Sequence, residues 1–314
     1  MADLDPGYLG RLMIGLTVGA AQLDEPTRQR HSQFVMNLRE SDGGWGGREG
    51  GSDLYYTSFA LRSLAILGQL HGSIAEQSCD FLRSRLNTFE SIVDLLSLVY
   101  SAKLIEASCN IDPLAGCGTE WQTRLAELLQ SLRRSDGGYC KTIEGNASST
   151  YQTFLTLICL ELIQMPIPEP EKSAEFFLKQ RQDDGGFLEV RVAKRSGANP
   201  TAAAIGGLQV LNSVSEHVGL TAGEFLLDLQ TDEGGFQANT RIPVPDLLST
   251  FTALVTLSDL GVVDQVQLIA AGKYVRSMEC STGGFHGFEF DQGTDVEYAF
   301  YGLGALALLQ LAKA

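Results

Sequence analysis

The sequence predicts an all-α fold of six helical hairpins arranged as two concentric rings, apolar inside and amphipathic outside. Three observations carry that prediction. Paired glycines followed within one residue by an aromatic begin at Gly43, Gly137, Gly185, Gly234 and Gly283, at intervals of 94, 48, 49 and 49 residues. The first interval is close to two of the others, and a fixed period of this length marks stacked supersecondary units. The stretch before each pair reads as an amphipathic helix. The stretch after it is apolar nearly all round, which places it where every face is buried.

The elements follow in order. Tyr8 to Ala21 reads as a short apolar helix, expected to pack on the first repeat. Pro26 stands near the start of a helix ending at Arg39, with Phe34, Val35 and Leu38 on one face; Gly43 then supplies the left-handed residue that closes it. Asp53 is placed to cap DLYYTSFALRSLAILGQL. The second unit is degenerate: Ser73–Leu86 and Ser91–Ala107 read as helices with no glycine pair between them, a shortened loop. Asn110 to Gly118 is a linker. The third unit opens with Trp121, Leu125, Leu128, Leu129 and Leu132 on one face and continues in SSTYQTFLTLICLELI. Met165 to Pro170, MPIPEP, breaks the chain before the fourth unit. The fourth, fifth and sixth inner helices are PTAAAIGGLQVL, DLLSTFTALVTLSDL and DVEYAFYGLGALALLQ. All intra-unit loops then lie at one end of the rings, where the inner helices present their N-termini. Residues 1–314 read as one domain.

Composition narrows the function. A formal charge of −15 speaks against nucleic acid, because phosphate neutralisation needs a basic face. The six cysteines show no CxxC spacing and read as reduced thiols. The acidic N-terminus lacks the pattern of a signal peptide, and no uninterrupted apolar stretch reaches membrane-spanning length. A cytoplasmic location without a transmembrane segment is expected.

The chain resembles the β subunits of protein prenyltransferases, within the α/α-toroid superfamily shared with terpene cyclases. It looks most like the type II geranylgeranyltransferase β subunit. The likeness runs through YLGRLMIGLTV, SDGGWGG with DLYYTSFALRSLAIL, and TGGF with DVEYAFYGLGALALL. It implies an (α/α)6 toroid with a zinc ion held by the Asp and Cys of a D-x-C motif and by the His of a D-x-x-H motif. Here those positions read Asp246-Leu247-Leu248 and Asp295-Val296-Glu297-Tyr298, so leucine and tyrosine stand where cysteine and histidine are needed. Leucine cannot bind metal and a neutral phenol is a poor zinc ligand. Recruiting Glu297 would require turning it about 100° around the helix. No zinc or other cofactor is therefore expected, except under an alternative in which the metal site is rearranged. The family's diphosphate-binding His, Arg and Lys correspond to Gly197, Asn239 and Arg241, with Arg191, Lys194, Arg195 and Arg241 as the basic residues available near the mouth.

In such proteins aromatics on the inner helices line a funnel for an isoprenoid chain. Tyr55, Tyr56, Phe59, Tyr151, Phe154, Phe251, Tyr298 and Tyr301 are the corresponding candidates here, although aromatics at helical spacing also serve as plain core. Six helices at 8–10 Å separations leave axial space for side chains or a ligand. Asp94 reads as an acid midway along an inner helix, either a proton donor raised by burial or an acid bonded to a neighbouring helix or facing the shortened loop. No D-x-D-D motif of class II terpene cyclases occurs.

Three functions follow. The first is a protein without zinc that binds an isoprenoid or other apolar ligand. The second is an active prenyltransferase with a rearranged site and a helical-repeat α-subunit-like partner. The third is a solid helical-repeat scaffold, with a homodimer among the possible assemblies. The first is the reading adopted.

Overall fold

In the computed structural model, which describes residues 6–86, 91–118 and 120–313, the chain forms thirteen α-helices. They are α1 (Gly7–Ala20), α2 (Glu25–Asn37), α3 (Leu54–Ile66), α4 (Gly72–Ser84), α5 (Ile92–Cys109), α6 (Trp121–Ser131), α7 (Thr150–Leu162), α8 (Pro170–Gln180), α9 (Ala198–Val210), α10 (Glu216–Leu227), α11 (Leu247–Asp259), α12 (Leu268–Ser277) and α13 (Val296–Leu311). The odd helices from α3 onward pack side by side in chain order, and α13 returns to α3 to close the inner ring. The even helices form the outer layer. Strand structure among the described residues is one antiparallel pairing of Phe236–Gln237 with Pro245–Asp246.

The glycine pairs join successive units. The first glycine of each has φ between 85° and 97°, open to residues without a Cβ. A methyl group there would lie no more than 2.6 Å from a backbone carbonyl group of the next outer helix: Gln77, Lys172, Thr221, Ala270 and, for Gly283, Arg30 of α2. The last unit thus grips the first. The following aromatics, Trp45, Tyr139, Phe187, Phe236 and Phe285, are fully buried. In four units the aromatic's backbone N–H donates to a threonine on the inner helix, Thr57, Thr153, Thr201 or Thr250, at 2.9–3.0 Å. These bonds satisfy donors that no ladder reaches.

Two expectations change. Helix α1 packs on α3 but chiefly on α13, and it runs under the ring to α7 and α9. Gly19 permits this, because a Cβ there would collide with the Ala307 carbonyl. At the far end the Tyr8 N–H bonds Glu161 at 2.7 Å and its hydroxyl bonds Asp259 at 3.1 Å. Both carboxylates stand near the C-terminal ends of their inner helices, so α1 forms the floor. The second change concerns Asp94. Helix α5 begins at Ile92, so Asp94 lies in its first turn, where its carboxylate accepts from Ser91 Oγ at 2.8 Å and its N–H donates back to that oxygen. Those bonds form a local capping motif, at the start of the helix and not midway along it. The shortened loop of the second unit falls in part on residues 87–90, outside the described residues. The six cysteines are free thiols.

Candidate functional site

Short polar caps fix the mouth of the ring. Asp53, Ser91, Ser149, Asp246 and Asp295 each accept a backbone N–H three residues on, satisfying donors at the start of α3, α5, α7, α11 and α13. These N-termini already hold internal oxygen acceptors. Glu189, from the fourth loop, adds its carboxylate to Ser149 Oγ at the start of α7, and burial raises its pKa. The exposed Arg191, Lys194, Arg195 and Arg241 lie on the loops outside these caps, and none forms an ion pair among the described residues.

The positions that would hold zinc are built differently. Arg48, from the first loop, places Nη1 and Nη2 on Asp291 at 2.7 and 2.6 Å and Nε on Asp295 at 2.8 Å. Its guanidinium lies 5.5 Å from the Tyr298 ring centroid. The bidentate contact holds the Asp291 carboxyl down at about 2 and pushes Arg48 further up. Both oxygens of Asp246 accept from Ser249, at 2.7 Å each. Leu248 is half-buried against the core, and burial with nearby carboxylates pushes Tyr298 up to about 12, so its phenol stays neutral. Glu297 accepts from Tyr55 Oη at 2.7 Å and Tyr301 Oη at 3.1 Å. Of the family's three ligand positions only Asp246 keeps a metal-binding side chain, and a guanidinium stands beside Tyr298 at another. Among the described residues no group of three or more His, Cys, Asp or Glu converges, and these positions do not fit zinc.

Below the mouth five of the six inner helices keep residues that are partly open: Tyr55 and Arg62 on α3, Phe154 on α7, Ala202 on α9, Thr252 on α11, Glu297 on α13. Tyr151 is 40 % exposed although its surroundings desolvate the hydroxyl enough to raise its pKa, as for a wall residue facing a recess. Of the aromatics singled out by sequence, Tyr55, Phe59, Phe251, Tyr298 and Tyr301 come together. Tyr55 meets Phe59 at 4.9 Å, Phe59 meets Tyr301 at 5.2 Å, and Tyr301 meets Phe251 at 5.5 Å and Tyr298 at 6.0 Å. Phe154 sits lower, edge-on to Tyr8 of the floor at 5.7 Å. Tyr56 stands beside Gly47 of the first loop.

Sequence reasoning missed Arg62. It stands one turn below Phe59, with its guanidinium 4.0 Å from the Phe59 centroid, 5.0 Å from Phe300 and 5.2 Å from Tyr100. The signal was a single cation inside an otherwise apolar inner helix. Asp259, pushed up to about 6 by burial, was also missed, because the helix that meets it lies far away in sequence. His286, although in a mouth loop, bonds Cys280 Sγ at 3.2 Å and lines an outer recess of about 490 Å³ with Tyr274, Lys273 and Phe288.

The family model described as the prenyltransferase alpha-alpha toroid domain matches residues 12–96, 96–220 and 201–314, which together span nearly the whole chain. The chain belongs to the prenyltransferase α/α-toroid family. No curated relative matches it by sequence. Among solved structures, this toroid is similar to Candida albicans protein geranylgeranyltransferase-I complexed with GGPP, with a TM-score of 0.74 and 16 % identity over 90 % of both chains. It is also similar to the type II terpene cyclase MstE from Scytonema, in complex with geranylgeranyl dihydroxybenzoate, at TM-score 0.65 and 12 % identity over 96 % of this chain and 98 % of that one. An α-1,6-mannanase from Salegentibacter sp. HEL1_6 shares the fold at TM-score 0.63 and 12 % identity, covering 91 % and 99 %. Identities this low establish the fold, and the mannanase shows that the toroid alone does not select a reaction. No helix among the described residues is long and apolar enough to cross a membrane.

Proposed function

We propose that this toroid takes an isoprenoid or a similarly apolar chain into its axial space and does not activate a thiol with zinc. The observation that carries the reading is the aromatic wall of Tyr55, Phe59, Phe251 and Tyr301, beside residues that stay partly open to solvent on inner helices. Two similar structures were solved with geranylgeranyl compounds, which supports the ligand class. Arg191, Lys194, Arg195 and Arg241 are the cations within reach of a diphosphate at the rim.

Arg62 bears on the chemistry. Terpene cyclisation begun at the buried end of the chain develops positive charge on the hydrocarbon there. A second cation about 6 Å from a fixed guanidinium is destabilised by roughly 3 kcal/mol at an effective dielectric of about 20. Holding the chain is thus favoured over ionising it. The test is calorimetric titration with geranylgeranyl diphosphate, in EDTA and again with added zinc. Equal binding in both conditions is expected. Binding seen only with zinc, or transfer of the prenyl group to a cysteine-containing acceptor, would overturn the reading.

A further inference from the structure

The axial space is less apolar than a hydrocarbon funnel requires. Arg62 is the reason. It stands nine residues below the cap Asp53, about 14 Å down α3 at 1.5 Å per residue. Its Nε and Nη2 donate to the carbonyl oxygen and hydroxyl of Ser58, at 3.1 and 3.2 Å. No carboxylate bonds it or pairs with it among the described residues, and its Nη1 has no hydrogen-bond partner there. Nor is any Arg62 nitrogen among the buried atoms left without a partner, so Nη1 faces open space. Glu297 stands close enough to feel the charge of Arg62, but its carboxylate is bonded by the hydroxyls of Tyr55 and Tyr301 and not by the guanidinium.

A guanidinium is rarely placed inside a protein without an anion to answer it. The faces of Phe59, Tyr100 and Phe300 offset part of its desolvation and fix its plane, but rings supply no acceptor for the remaining N–H groups. Its fork is shaped for a carboxylate or phosphate oxygen pair. The charge of Arg62 also reaches the hydroxyl of Tyr151, which is partly exposed.

We infer that the ligand of this cavity carries an anionic group which descends past the mouth to Arg62, making it an amphipathic acid rather than a plain hydrocarbon or an alcohol. This rests on the proposed function, since it presupposes that a chain enters the ring. The rim cations would then meet the ligand only in passing, and recognition would lie on α3.

The full-length protein is titrated with geranylgeranoic acid and with geranylgeraniol, which differ only in the terminal group. The acid is expected to bind at least tenfold more tightly. In Arg62→Gln that advantage disappears while affinity for the alcohol stays within about twofold, and retained alcohol binding shows that the ring is intact. Arg62→Lys keeps the charge without the fork and should keep part of the advantage. Equal affinity of the unsubstituted protein for acid and alcohol overturns the inference and leaves the isoprenoid reading standing. A parallel loss of both ligands in Arg62→Gln also overturns it, by showing a packing role. If neither probe nor geranylgeranyl diphosphate binds, both readings fall together.

Discussion

At the scale of single residues, the mouth turns on a cation, Arg48, that stands beside the family's metal positions. Of those positions Asp246 alone keeps a ligand; Arg48 lies 5.5 Å from the ring of Tyr298 and its Nε bonds Asp295, which caps that helix, at 2.8 Å. Restoring Leu248→Cys and Tyr298→His alone should therefore fail to bind zinc, because the guanidinium keeps a positive charge beside the three ligands. Adding Arg48→Gln removes that charge, and the triple variant should take up close to one zinc per chain. Equilibrium dialysis with metal analysis separates the cases; equal uptake by the double and triple variants would show that Arg48 is not the barrier. The motif substitutions at 248 and 298 were legible in the sequence. The Arg48 contact was not, since it joins loops 243 and 247 positions apart.

At the scale of elements, the repeated glycine turn is where backbone conformation and packing coincide. Gly234 has φ 97° and would place a Cβ against the Ala270 carbonyl, so Gly234→Ala meets both strain and overlap. We expect it to destabilise the protein by at least about 2 kcal/mol. Gly68 has φ 70° with nothing within 4 Å, so Gly68→Ala meets strain alone and should lose about 1 kcal/mol. Urea unfolding of the two variants measures the difference, and equal losses would mean that the turn does not grip its neighbour. The period and the glycines identified every described loop of this type. Which helix each glycine touches could not be read from them, because that partner lies in the following repeat.

At the scale of the whole molecule, closure depends on joining the sixth unit to the first. His31 of α2 stacks on Phe285 at 4.6 Å, its Nδ1 accepts the Gly284 N–H at 3.0 Å, and its Nε2–H donates to Glu279 at 3.0 Å. Arg30 and Arg276 also bond Glu279. Burial first, then these two arginines, hold His31 neutral and push it down to about 3 from 6.5. The unfolded chain therefore binds the proton more readily. The stability due to neutral His31 is complete above pH 6.5 and is lost progressively as pH falls toward 3. His31→Gln, which keeps a polar partner without the titration, should flatten the fall in unfolding free energy between pH 7 and pH 5. An unchanged slope would place the acid sensitivity among the carboxylates.

The sequence by itself determined the helical period, the glycine turn that ends five of the six outer helices, the apolar character of the inner ring and the loss of two metal ligands. Each of these is written in neighbouring residues or in a spacing that repeats. Tertiary structure alone decided that α1 floors the ring, that Arg48 reaches Asp291 and Asp295, and that Arg62 meets Tyr100 and Phe300 from two other helices. Those contacts pair residues with no periodic relation, and they exist only because the ring closes. The charge a ligand meets inside is therefore a property of the closed ring and not of any one repeat.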